Sequence, residues 1–111
     1  MAEVSVKTRF VRIAPRKLRL VSDLVRGNMV GEAMNTLKFT NKRGAKVVYK
    51  ALVSAVANAQ TKGTIDVDNL YVKKITVDEG PVMKRFMPRA QGRATQIRKK
   101  MSHLNITLDE K

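Results

Sequence analysis

A basic stretch between Gly80 and Met101 limits how this chain can fold more than any other feature of its sequence. It contains no acidic residue, and the spacing of apolar residues that marks a core lapses there. Loops of this length without structure are uncommon in compact domains unless they are functional or disordered. The basic residues of the stretch are Lys84, Arg85, Arg89, Arg93, Arg98, Lys99 and Lys100.

Strand patterns on both sides predict that this stretch is a β-hairpin. Asn69–Val77 is rich in β-branched and aromatic residues. After the stretch, Leu104, Ile106 and Leu108 alternate with polar residues, as in a strand with one buried face. We therefore predict an extended basic β-hairpin over residues 80–101.

The ends and the turn of this hairpin follow from a few residues. Pro88 and Gly92 lie near its midpoint, so the tip is expected between about Met87 and Ala94. Ten residues in each strand would extend about 30 Å. Because an isolated two-stranded hairpin is marginally stable in water, its order must come largely from a partner. A solvated, disordered loop is the alternative.

The remaining strand is predicted at the N-terminus, over Val4–Ile13. Alternation puts Lys7 and Arg9 on a wet, basic face and the other side chains on the opposite face, namely Val4, Val6, Thr8 and Phe10. In Asn69–Val77 the same rule expects apolar side chains on both faces, Leu70 and Val72 on one and Tyr71, Ile75 and Val77 on the other.

Three helices are predicted between these strands. The first starts at Pro15 and ends before Gly27, with Leu18, Val21, Leu24 and Val25 at helical spacing. A second, short helix contains Ala33, Met34 and Leu37. The third is capped by Thr40 or Asn41, ends at Gly63, and has apolar positions at Ala45, Tyr49, Leu52, Val56 and Ala59.

These elements predict one α+β domain over residues 1–111: three helices packed on a small three-stranded antiparallel sheet, with a long protruding β-hairpin arm. No cysteine occurs, which fits a reducing compartment and leaves no thiolate for metal or catalysis. No segment approaches the length of a membrane span, so a cytosolic protein is expected.

The charge of the chain indicates what its partner is. Lys and Arg total 23 against 9 Asp and Glu, a net charge of +14. Such an excess opposes compaction unless a polyanion lies close, and nucleic acid supplies one through its phosphates. A well-solvated surface is the alternative interpretation.

Two further groups of cations are candidates for phosphate binding. Arg16, Lys17 and Arg19 crowd the first turn of the first helix, where the helix dipole favours acidic residues. Because local stability disfavours them there, we interpret them as a phosphate site. Lys42, Lys46 and Lys50 form a stripe on the third helix that could equally be a solvated face.

No enzymatic site can be assembled from the sequence. His103, the only histidine, has no nucleophile or metal-ligand set beside it and is interpreted as a hydrogen-bonding residue. The acidic residues beside a predicted strand could hold Mg²⁺ but are more typical of solvated turns; they are Asp66, Asp68, Asp78 and Glu79.

The chain resembles a known family over nearly its whole length. The motifs are RIAPRKLRLV at 12–21, DLVRG at 23–27, AVANA at 55–59 and VDEGP at 77–81, followed by KR at 84–85, PRA at 88–90 and GRA at 92–94. In this order they are similar to those of the bacterial-type large-subunit ribosomal protein twenty-two. That family often has Ser or Thr where this chain has Ala14, and Thr where it has Met101.

The resemblance implies a structural, non-enzymatic constituent of the cytoplasmic large ribosomal subunit, without cofactor, metal, membrane or small-molecule substrate. Its partners would be large-subunit rRNA, neighbouring ribosomal proteins, and the nascent polypeptide at the hairpin tip. The body would lie near the mouth of the exit tunnel, and the tip would line the tunnel near the region where macrolide antibiotics act.

Two sets of site residues follow from the charge pattern and the resemblance together. The rRNA-binding candidates are Lys7, Arg9, Arg12, Arg16, Lys17, Arg19, Lys84, Arg85, Arg89, Arg93, Arg98, Lys99, Lys100 and His103. The resemblance implies that the tunnel-lining residues are Met83, Lys84, Arg85, Arg89, Ala90, Gln91, Gly92 and Arg93.

Two other functions stay open from the residues alone. An architectural DNA-binding protein could also use a two-stranded arm with proline near its tip, to wedge into a minor groove. A nuclease could use carboxylates around Asp66 and Asp78, although no base or nucleophile accompanies them.

Overall fold

The computed structural model describes residues 3–62, 67–88 and 94–111, with only the backbone described at residues 67, 83–88 and 94–99. In these residues three strands and three helices follow one another, with a 3-10 turn (Val67–Asn69) before the second strand. They are β1 (Val4–Val11), α1 (Pro15–Val25), α2 (Val30–Phe39), α3 (Arg43–Lys62), β2 (Leu70–Pro88) and β3 (Ala94–Glu110).

The three strands form one antiparallel sheet in the order β1-β3-β2. The buried residues of β3 are the alternating apolar ones that the sequence identifies, Leu104, Ile106 and Leu108. They join one core with the buried faces of α1, α2 and α3, including Leu18 and Leu52. The predicted α+β class and its three-on-three architecture are thereby confirmed.

In β2 the expected division of apolar side chains between two faces is wrong. Leu70, Val72, Ile75 and Val77 are all buried. The cause is a β-bulge: the pairing with β3 shifts after Val72, so that Lys73 is an extra residue and every later side chain changes face.

A second bulge overturns the expectation for Phe10. The pairing of β1 with β3 shifts between Thr8 and Val11, and Phe10 turns outward with 59% of its surface exposed. The strand ends at Val11, two residues before the predicted end.

The helices lie where the sequence predicts them, with differences at their edges. Gly27 has a φ of +83°, as expected of the glycine that ends α1. Leu24, expected in the core, is 48% exposed. The residue before α3 is Lys42, so neither predicted residue caps it, and the Thr40 hydroxyl instead donates to the Thr36 carbonyl at the end of α2, at 2.6 Å.

Helix α1 covers the edge of the sheet. Strand β2 is an edge strand, and such strands have free backbone groups. Arg19 donates to the Val77 carbonyl at 2.9 Å, and Arg26, two helical turns later, donates to the Ile75 carbonyl at 2.9 Å. Just beyond the helix, the Gly27 N–H donates to the Val72 carbonyl at 2.9 Å.

The predicted arm is a continuation of β2 and β3 beyond the body. Their pairing runs from Val82 opposite Lys100 to Pro88 opposite Ala94, which confirms the two strands of the predicted hairpin; the predicted tip lies outside the described residues. The register shifts at its base, between Glu79 and Val82, and a Cβ on Gly80 would lie 3.1 Å from the Met101 carbonyl, which is tighter than ordinary van der Waals contact. The radius of gyration, 17.1 Å, exceeds the roughly 13 Å of a compact chain of this length.

Candidate nucleic-acid interface

The two ends of the body differ in which strands and helices begin and end there. At one end β1 stops, α1 and α3 begin, and the arm leaves; we call this the arm end. At the opposite, far end β1 begins and α1 and α3 stop. The side chain of Lys62 at the end of α3 donates to the Glu3 carbonyl at 3.2 Å, which places that end beside the start of β1.

The starts of α1 and α3 meet in a cleft of about 520 Å³ at the arm end. They approach closely because α3 has Gly44 there; a Cβ on it would lie 3.2 Å from a methyl group of Val21. The cleft is lined by apolar side chains and by four cations, Arg12, Lys17, Lys42 and Arg43. Neither helix has an acidic residue in its first turn, so two positive dipole ends and these cations face the same space.

The lysine stripe, formed by Lys42, Lys46 and Lys50, extends from this cleft along α3. Lys46 and Lys50 line a second cleft of about 430 Å³ with Phe39, and Lys50 also lines a third, of about 350 Å³, with Arg9. None of the described residues lining these three clefts is Asp or Glu. The sequence left this stripe undecided, and its position beside the other cations favours a binding role.

The start of α1 also lies against the base of the arm. A cleft of about 230 Å³ brings together Arg16, Lys17, Arg19 and Lys100, with Glu79. Two groups of predicted site residues, separate in the sequence, therefore meet here. Arg19 is engaged by the Val77 carbonyl, so the structure gives it a role in holding α1 on the sheet that the charge pattern could not indicate.

The sheet presents its uncovered face to solvent, as the wet, basic face predicted for β1 implies. Lys7 is exposed on it. The Asn105 amide donates to the Asp78 carboxylate at 2.8 Å, and the Ser5 and Thr107 hydroxyls are 3.1 Å apart. Hydrogen-bonding side chains thus surround Lys7. Asp78 is among them, hydrogen-bonded to Asn105.

His103 is partly buried at the junction of this face with the bulge of β1. Its Nδ1 accepts a hydrogen bond from the Phe10 N–H at 3.1 Å. The interpretation of His103 as a hydrogen-bonding residue is confirmed. Among the described residues no group of three potential metal ligands occurs; Asp66 lies outside them.

On the arm, the backbone register sets the positions of the predicted residues. Lys84 is directly opposite Arg98, and Met83 is opposite Lys99. Like charges at directly opposite positions destabilise a strand pair. The tip residues Arg89, Ala90, Gln91, Gly92 and Arg93 lie outside the described residues.

At the far end, two cations are paired with acidic groups. Lys73 contacts the carboxylate of Glu3, and its Nζ lies 3.6 Å from that of Asp109, which is buried. The hydrogen bond to Glu3 raises the pKa of Lys73, with Asp109 adding to the effect. Arg26, the residue directly after α1, pairs with Asp23 of that helix at 2.5 Å.

No helix in the described part of the chain is both long and apolar enough to cross a membrane. Comparison with known proteins gives a specific match. The family model described as ribosomal protein L22p/L17e matches residues 6–109.

Curated relatives agree with this match along their whole length. The large ribosomal subunit protein uL22 of Syntrophotalea carbinolica is 57% identical over 98% of this chain and 99% of its own. Those of Bdellovibrio bacteriovorus, 57% identical over 98% and 99%, and Pelobacter propionicus, 58% identical over 97% of each chain, are similar. These names fit a ribosomal constituent without enzymatic activity. The chain belongs to the ribosomal protein L22p/L17e family and is a structural constituent of the large ribosomal subunit.

Proposed function

We propose that this protein binds large-subunit rRNA through the arm end of its body and through the arm, with phosphate contacts supplying most of the affinity. One observation carries the proposal: the starts of α1 and α3 meet in a cleft lined by cations, two further clefts along α3 are also lined by cations, and none of the described residues lining the three is acidic. Helix starts and cations each attract phosphate, and together they suit a folded RNA backbone. The proposed contacts include the predicted Lys7, Arg9, Arg12, Arg16 and Lys17, and the stripe on α3.

The arm would lie within the RNA of the subunit. Its opposed cations, such as Lys84 and Arg98, repel one another in the free protein, and phosphates between and around them would remove that cost. The family resemblance further supports a tip, residues 89–93, that lines the polypeptide exit tunnel and contacts the nascent chain. In this arrangement Met83, Lys84 and Arg85 lie next to the tunnel, and the body contacts neighbouring ribosomal proteins in the cytoplasmic ribosome.

The test compares the two ends of the body. Replacing Lys42 and Lys46 with Gln should weaken binding to a large-subunit rRNA transcript. The slope of log affinity against log salt should fall by about 1 for each phosphate that the variant no longer neutralises. The matched control replaces two exposed far-end lysines, Lys62 and Lys111, with Gln and should change neither quantity.

Equal effects of the two pairs would show that binding depends on total charge and not on the arm end, and would contradict the proposal. Stronger binding of the wild-type protein to duplex DNA than to the transcript, at the same salt concentration, would also contradict it and favour a DNA-binding protein.

A further inference from the structure

Phe10 has a backbone conformation that few residues of its kind adopt. Its φ is +58°, and it is the only non-glycine residue with positive φ in the described part of the chain. For a bulky side chain this left-handed region is strained, and such strain is retained where the surrounding structure holds it, often at functional sites. This strained conformation lies in the β-bulge of β1. The bulge turns the aromatic ring of Phe10 away from the core and into solvent.

The exposed ring is held in place by His103. The Phe10 N–H donates to His103 Nδ1 at 3.1 Å, and the two rings are 5.2 Å apart with their planes at 85°. One side chain of the central strand therefore fixes both the backbone and the ring of Phe10. A ring fixed in this way loses little conformational freedom when it binds a second flat group.

The surroundings of Phe10 indicate the chemistry of that group. Phe10 is one of the residues that line the 350 Å³ cleft, together with Arg9, Arg12 and Lys50 and with the partly buried Val47 of α3. An exposed aromatic residue beside three cations, with no acidic residue among the described ones that line the cleft, suits a nucleobase that is still joined to its phosphates. An apolar protein surface would leave those cations without a counter-charge.

We propose that Phe10 is a stacking platform for an unpaired rRNA base, whose flanking phosphates are bound by Arg9, Arg12 and Lys50. This inference rests on the proposed function and adds a residue to it that charge alone cannot identify. Stacking is independent of salt to a first approximation, whereas the phosphate contacts are not.

The test measures the affinity of the full-length protein for a large-subunit rRNA transcript over a range of salt. Phe10→Leu keeps apolar bulk without a π face, and Phe10→Gly removes the ring while relieving the backbone strain. Both should bind about tenfold more weakly, with an unchanged salt slope. Phe10→Tyr should restore wild-type affinity to within about twofold, because it keeps the stacking face.

Leu24→Ala is the control. Leu24 is an apolar residue of α1 that is 48% exposed and lines none of the clefts described above, so its loss should leave affinity unchanged. Ultraviolet irradiation of the wild-type complex should also attach a nucleotide to the peptide that contains Phe10. Thermal unfolding of Phe10→Gly at or above the wild-type temperature would show that its weaker binding is not misfolding.

The outcomes separate this inference from the proposed function. If the wild-type protein binds the transcript but Phe10→Leu and Phe10→Gly bind equally well, the stacking platform is wrong and the phosphate surface stands. If these variants lose affinity only when other ribosomal proteins are present, Phe10 contacts protein and the inference is overturned. If the wild-type protein does not bind rRNA, the proposed function itself fails.

Discussion

The arm end and the far end of the body use charge in opposite ways. At the far end, Lys73 is set between two carboxylates, and Lys111 lies over the ring of Tyr71 at 5.7 Å. At the arm end, cations line three clefts in which no described residue is acidic, and a smaller one that includes Glu79. They also crowd two helix starts, where the helix dipole disfavours them. The cations of the far end have partners within the protein, whereas the unpaired cations of the arm end are the reason that we propose an anionic partner there.

The largest effect on stability should come from substitutions in the core. These substitutions test whether the two ends differ in packing as well as in charge. Leu18 lies at the arm end and Leu108 in β3 at the far end, and both are fully buried. Replacing either with Ala should lower the free energy of unfolding by about 3 kcal/mol, as measured by denaturant titration. A cost below about 1 kcal/mol at Leu18 alone would mean that the arm end is loosely packed without RNA.

An intermediate effect should separate stability from binding at the start of α3. Lys42→Asp supplies a capping side chain and a charge that the dipole favours, so the free protein should gain about 1 kcal/mol of stability while its affinity for rRNA falls. At the other end of the same helix, Lys62→Asp should lower stability by about 0.5 kcal/mol without affecting binding. Unchanged affinity of Lys42→Asp would remove Lys42 from the interface.

The smallest effect should appear at the far end, in the dependence of stability on pH. The folded protein raises the pKa of Lys73, so its ion pairs stabilise the fold fully below the ordinary pKa of the side chain. This contribution is lost as pH rises above about 10.5, through the raised pKa. The unfolding temperature of Lys73→Gln should therefore lie slightly below that of wild type at pH 8 and converge with it in strongly alkaline buffer. A constant difference across this range would mean that the charge of Lys73 is not what matters.

Most of the secondary structure could be predicted because it depends on neighbours along the chain. Helices α1 and α3 have apolar residues at intervals of three and four, and β3 alternates without interruption from Leu104 to Leu108. The hairpin followed from two strand patterns joined by a stretch that has too few apolar residues to form a core.

The two bulges could not be predicted by the same reasoning. An extra residue in a strand is defined by the register of the partner strand, so Lys73 and Phe10 carry no local signal that separates them from a regular strand. Each bulge changes the face of the residues that follow it. For this reason the buried face of β2 and the exposure of Phe10 were both predicted wrongly.

Arg19 shows a similar limit of sequence-based prediction in the candidate site. Its charge and its place at the start of α1 predict a phosphate ligand, yet its guanidinium donates to Val77, far away in the sequence. A single cation can bind a backbone carbonyl or a phosphate, and only the fold brings a particular carbonyl within reach.

By itself, the sequence determined the charge of the protein, the type of each element and the existence of the arm, since these depend on composition and local periodicity. Tertiary structure alone decided that α1 and α3 begin at the end where the arm leaves. As a result, Lys17, Lys42 and Lys100 lie on one surface. The physical reason is that helix direction and strand order follow from how the core is packed, and they place side chains that lie far apart along the chain.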